Sequence, residues 1–145
     1  MADIALNRSG PTPRHLWVVG VLSLLWNASG AYTILMAQAG RWPGISADEA
    51  AYYAAQAPWF VAVTDIALIG GVAGAIALLL RHRWAVPLFA ISLIAIIVSN
   101  GYDLAAGTSR MGTNAATVTV TMLIWALAVL QLLYAAWMRR RAVLR

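Results

Sequence analysis

The stretch PWFVAVTDIALIGGVAGAIALLL, residues 58–80, decides how this chain is read. It carries a single ionisable side chain, Asp65, and stops at Arg81-His82-Arg83. As an α-helix rising about 1.5 Å per residue, a run of this length exceeds the 30 Å or so of a bilayer's hydrocarbon core. Its solvent is lipid.

Working outward, three more runs of the same kind appear. Residues 16–39 form one, ended by the breaker cluster Gly40-Arg41-Trp42-Pro43-Gly44. Residues 84–102 form another, with Pro87 in its first turns, where a missing donor is tolerated. Residues 115–138 form the last, stopped by Arg139-Arg140-Arg141. Composition agrees: 62% of the chain is hydrophobic and 10% charged, against roughly 25% charged in a soluble domain. With no cysteine, disulfides, thiolate metal sites and thiol catalysis are excluded. The expected fold is all-α: one domain, residues 1–145, forming an integral membrane four-helix bundle. Between the first two spans, Ser46 followed by Glu49 is a capping box, and residues 49–56 read as a short interfacial helix. Its Tyr52 and Tyr53 suit a headgroup layer.

The basic residues set the orientation. Arg8, Arg14, Arg81, Arg83, Arg139, Arg140, Arg141 and Arg145 fall on one side of the spans, and only Arg41 and Arg110 on the other. Such a bias places both termini in the cytoplasm and the short helix on the periplasmic side of a bacterial inner membrane. Tryptophans mark both interfaces: Trp17, Trp84 and Trp137 beside the cytoplasmic arginines, Trp42 and Trp59 opposite. The net charge of +5 therefore reflects topology and does not point to nucleic acid. Arg8 and Arg14 followed by an apolar run and Ala37-Gln38-Ala39 also fit a signal peptide. The run is longer than a typical signal core, which favours an uncleaved first span. Arg14-His15-Leu16-Trp17 and Arg81-His82-Arg83-Trp84 echo each other weakly, as two hairpins related in parallel would.

Ionisable groups inside a span are costly and mark function first. Asp65 alone lies well inside, in the outer half of the second span. Asn27, Asn100, Thr117, Thr119 and Thr121 lie at similar or middle depth and are its candidate partners. Two readings compete: a proton- or cation-coupled site at Asp65, or a partly hydrated carboxylate anchoring the bundle through Tyr102 or Arg110. Asp103, at a span terminus, reads as interfacial. Asn27 and Gln131 read as interhelical glue, each wanting a partner across the bundle. Gly70, Gly71 and Gly74 make a small-residue face that admits another helix closely, from this chain or from another subunit.

No catalytic constellation is expected. His15 and His82 sit at the boundary, outside the spans, so no imidazole is placed to hold a haem in the bundle. Met36 and Met122 read as packing residues. Nucleophile–base spacings, phosphate-cradling loops and metal-ligand spacings are absent from the sequence. The chain reads as a non-enzyme without cofactor or metal.

Pro13-Arg14-His15-Leu16-Trp17-Val18-Val19-Gly20, Leu24-Leu25-Trp26-Asn27, Arg83-Trp84-Ala85-Val86-Pro87 and the ending Met138-Arg139-Arg140-Arg141-Ala142-Val143-Leu144-Arg145 resemble an uncharacterised family of small four-helix bacterial inner-membrane proteins. Members of that family often carry the automatic label "sugar transporter". The resemblance implies the same four spans over nearly the whole chain and transfers no binding motif. Thr64-Asp65-Ile66 departs from it, since the middle of the family's second span tends to be tryptophan-rich and uncharged.

Three functions follow as expectations. The first is a non-catalytic accessory subunit packed against a larger inner-membrane complex of respiratory or photosynthetic type. The alternatives are a small homo-oligomeric transporter with Asp65 as coupling carboxylate, and a membrane assembly factor. The expected partners are the lipid bilayer and other membrane subunits or a second copy of the chain.

Overall fold

The computed structural model describes residues 12–107 and 115–145, all of it helix, turn and connecting chain. Arg8, Arg110, most of the amino-terminal arm and the Thr117 side chain lie outside the described parts. Five helices follow in order: α1 Arg14–Gln38, α2 Ala47–Ala54, α3 Pro58–Leu79, α4 Ala85–Ala105 and α5 Ala115–Arg140. Four of them, all but α2, are long and apolar enough to cross a membrane. The chain is therefore an all-helical, multi-pass type of protein.

Local chemistry sets the helix ends. Helix α1 ends where Gly40 adopts φ +65°, letting the Arg41 amide reach back to Met36 O at 2.8 Å. In α2 both arms of the capping box form: Glu49 N–H donates to Ser46 Oγ and Ser46 N–H to Glu49 Oε2, each at 3.2 Å. That cap starts the helix at Ala47, two residues earlier than its polar sequence suggests. Helix α3 begins with Pro58 in its first turn, where the missing N–H would have had no partner.

Two helix ends use a left-handed residue that is not glycine. Arg81 (φ 58°) closes α3, and Ala142 (φ 55°) closes α5. After each, an amide reaches back over the last turn: His82 N–H to Ala77 O at 2.7 Å, Val143 N–H to Met138 O at 3.1 Å. A Cβ in this conformation costs about 1–2 kcal/mol. The two ends then clasp each other. Arg83 N–H donates to Arg145 O (2.7 Å) and Arg145 N–H to Arg81 O (2.8 Å). The clasp buries Val143 and Leu144 in one cluster with Leu16, Leu78, Ala85 and Met138.

Helix α3 is the centre of the bundle, packing on α1 along one side and on α4 along the other. Its glycines make this possible. A Cβ on Gly70 would lie 3.2 Å from Ser92 Cβ of α4, and one on Gly74 would lie 2.8 Å from the Phe89 ring. One on Gly71 would meet the Asn27 side chain of α1, its Cγ at 3.0 Å. The small-residue face is thus consumed within the chain. Helix α5 packs most closely on α4 and reaches α1 through side chains, so the two hairpins, α1–α3 and α4–α5, are packed unequally.

Candidate functional site

Three features of the bundle carry polar or concave character. The first is a knot in the middle of the spans. Asn27 and Ser23, one helical turn apart on α1, are joined by a bond from Asn27 Nδ2 to Ser23 O at 2.7 Å. The same nitrogen donates to Gln131 Oε1 of α5 at 3.1 Å. Nearby, the buried Ser92 hydroxyl donates to Ala67 O at 2.6 Å, tying α4 to α3. In hydrocarbon such bonds replace the water these groups have lost, each for about 1 kcal/mol or less.

The second is a groove of about 800 Å³ between α1 and α5, open sideways. Leu22 and Trp26 wall it on α1, Leu130 and Leu133 on α5, with Ser23 and Gln131 at its floor. Below it the two helices meet again, where His15 Nδ1 and Tyr134 Oη form a 2.6 Å hydrogen bond. There His15 stacks on Trp137, 5.7 Å between ring centres, and the Arg141 guanidinium lies 3.9 Å over the same indole.

The third is a polar cavity of about 210 Å³ at the opposite end, roofed by α2. The chain folds back so that Tyr52 of α2 donates its hydroxyl to Asp103 Oδ2 of α4 at 2.9 Å. Burial, then the adjoining carboxylate, pushes the Tyr52 phenol up to about 12. It therefore stays a donor at any physiological pH. Gln38, Gln56 and Thr64 also line this cavity. Gln38 Nε2, Gln56 Oε1 and Thr64 Oγ1 are shielded from solvent, yet find no hydrogen-bond partner among the described residues.

The residues singled out from sequence are dispersed. Asp65 follows Thr64 but does not line the cavity; its Oδ1 is shielded and has no partner among the described residues. Asn27 belongs to the knot. Asn100 lines the polar cavity, with Nδ2 bonded to Ile96 O of its own helix (3.0 Å), and Thr119 bonds Ala115 O (2.9 Å). The hydrogen bonds of Asn27, Asn100 and Thr119 thus run to Ser23, Gln131, Ile96 and Ala115 and not to Asp65. Trp17, Trp84 and Trp137 are exposed at the arginine-rich end, Trp59 is exposed at the other, and Trp42 is half-buried edge-on to Tyr32. Among the described residues no three His, Asp or Glu side chains come together as a metal site.

Sequence reasoning missed Gln38, Gln56 and Thr64 as a group. Gln38 and Gln56 are polar residues near a span's end, a position that draws polar residues anyway, and Thr64 is one small hydroxyl within a span. Only the fold-back of α2 puts them around one space. The chain matches no protein-family model, no curated protein and no solved structure.

Proposed function

We propose that this chain is a non-catalytic accessory subunit of a larger inner-membrane complex, and that its α1/α5 groove receives a transmembrane helix of that complex. Both termini lie on the cytoplasmic side and α2 on the periplasmic interface. The orientation rests on Arg14, Arg81, Arg83, Arg139, Arg140, Arg141 and Arg145 sharing one end of the bundle, with Arg41 at the other.

The groove is the observation that carries the reading. It runs from Val19 to Trp26 on α1 and from Leu127 to Trp137 on α5, about 10 and 15 Å of helix at 1.5 Å per residue. Two to three turns is the length over which one helix face interdigitates with another. Its lining is almost wholly apolar, with Ser23 and Gln131 buried beneath the walls and Gln131 Oε1 already bonded to Asn27. The transporter reading draws less support, because Asp65 opens on neither the groove nor the cavity.

The test is mild-detergent extraction of the native membrane followed by native gel electrophoresis and mass spectrometry. The wild-type chain is expected to co-migrate in fixed stoichiometry with a large complex. Filling the groove with Leu130→Trp should release it, while Ile94→Trp, on an exposed face of α4, should not. Migration of the wild type alone, as monomer or dimer, would overturn the proposal.

A further inference from the structure

We infer that the bundle binds one water molecule at its middle, between the side-chain amides of Asn27 and Gln131 and the hydroxyl of Ser92. This site does not depend on what occupies the α1/α5 groove.

The bonds already made define what is left over. Asn27 Nδ2 uses both its hydrogens, on Ser23 O at 2.7 Å and on Gln131 Oε1 at 3.1 Å. A backbone carbonyl only accepts, so the Asn27 atom facing Ser23 is the nitrogen, and the Gln131 atom facing that nitrogen is the oxygen. Two side-chain amides can join through a pair of bonds, and these two make one. An acceptor, Asn27 Oδ1, and a donor, Gln131 Nε2, stay unbonded among the described residues. Unlike Gln38 Nε2 beneath α2, neither atom is sealed off from the space beside it. Ser92, only 5% exposed, gives its hydrogen to Ala67 O and keeps its lone pairs. Its Oγ lies 3.5 Å from the place of a Cβ on Gly71, and Asn27 Oδ1 lies closer to that same place. The two acceptors are therefore neighbours.

The space between them has the right size. A pocket of about 40 Å³ is lined by Asn27, Ser92 and Gln131 together, with Trp26, Phe89 and Ala128 around them. A water takes about 30 Å³, so the pocket holds one. Accepting from Gln131 Nε2 and donating to Asn27 Oδ1 and Ser92 Oγ, it makes three hydrogen bonds, the usual number for a buried water. Hydrocarbon offers these atoms nothing in exchange, and unmet polar groups are costly there, whereas ordering one water costs little. The water closes the open side of the amide pair and joins α4 to the contact between α1 and α5. Asn27 and Ser92 also line a hollow of about 310 Å³ with Ser29 and Thr33, which gives water a way in.

The test is water-edited solid-state NMR on the full, nitrogen-15-labelled chain in lipid bilayers, which reads magnetisation passed from water to each amide. The Gln131 side-chain amide should receive it, while the backbone amide of Ile94, on a lipid-exposed face of α4, should not. Ala128→Val grows into the pocket without touching its polar groups and should lose the transfer to Gln131; Ile94→Val should keep it. If Ala128→Val fails to fold, Ile124→Phe, one turn earlier on α5 and lining the same pocket, takes its place. No transfer to Gln131 in the wild type, or undiminished transfer in a folded pocket-filling variant, would overturn the proposal.

Discussion

Replacing Gly71 with alanine should destabilise the bundle, although alanine is the better helix former. The added methyl would run into the Asn27 side chain, with Cγ at 3.0 Å and Oδ1 closer still. Asn27 has little freedom to retreat, because its amide nitrogen is held by Ser23 O at 2.7 Å and by Gln131 Oε1 at 3.1 Å. Overpacking of this kind costs about 1–3 kcal/mol. A displaced interhelical hydrogen bond adds about 0.6 kcal/mol, the average measured within membranes. Against this stands a propensity gain of at most about 1 kcal/mol for alanine over glycine. With the whole propensity gain realised, the net loss is about 0.6–2.6 kcal/mol. Gly30 and Gly101 supply the control, since a Cβ at either meets nothing within 4 Å; their alanine variants should be neutral or slightly stabilised. Equilibrium unfolding of detergent-solubilised protein by graded addition of dodecyl sulfate reads all three. Asn27→Ala combined with Gly71→Ala should recover at least about 1 kcal/mol relative to the sum of the single changes, because the methyl then has room. A Gly71→Ala variant as stable as Gly30→Ala, or strict additivity in that cycle, would refute the reasoning.

Other expectations follow from the same geometry. Tyr52 ionises higher in the folded chain than its ordinary 10, at about 12. Its contribution is therefore complete below pH 10 and lost as the pH rises towards 12. Wild type should lose more stability than Tyr52→Phe across that interval, measured by denaturant midpoint; equal losses would mean the phenol is not held by its surroundings. Ala142→Gly should raise stability by about 0.5–1 kcal/mol by relieving the left-handed Cβ, and a lower midpoint would contradict the strain described at that turn. Leu144→Ala, at a residue only 6% exposed, should cost about 2 kcal/mol or more, and a cost under about 0.5 would mean the tail is not docked. Ser46→Ala should cost about 1 kcal/mol at the start of α2, seen as faster amide exchange in residues 47–50; unchanged exchange would remove the capping box from the account.

The four long helices were legible because crossing a membrane is a local demand: one run of side chains must be apolar for its whole length. The Ser46–Glu49 cap was legible for the same reason. Partnership was not. Depth along a span can be counted from its ends, which is why Asn27, Asn100 and Thr119 looked like companions for Asp65. Facing is set by how helices rotate against each other, and α1 turns Asn27 towards Gln131 instead. The glycine run announced a close approach, while the identity of its occupants depended on Ser92 and Phe89 arriving from α4. The polar cavity was hidden for a further reason. Tyr52 and Asp103 are 51 residues apart, and no periodicity links a short amphipathic helix to the end of a span it folds back to meet.

The clasp between the α3–α4 turn and residues 143–145 has a consequence in time. Translation proceeds at about 5–20 residues per second, so the turn at Arg81 leaves the ribosome several seconds before Val143 does. During that interval α3 and α4 can already be paired in the bilayer, while the Arg81 carbonyl and the Arg83 amide await the partners that arrive with Arg145. A nascent chain at this stage therefore displays an unfinished edge at the arginine-rich end of the bundle, open to a chaperone or a protease. The late arrival of three residues removes it.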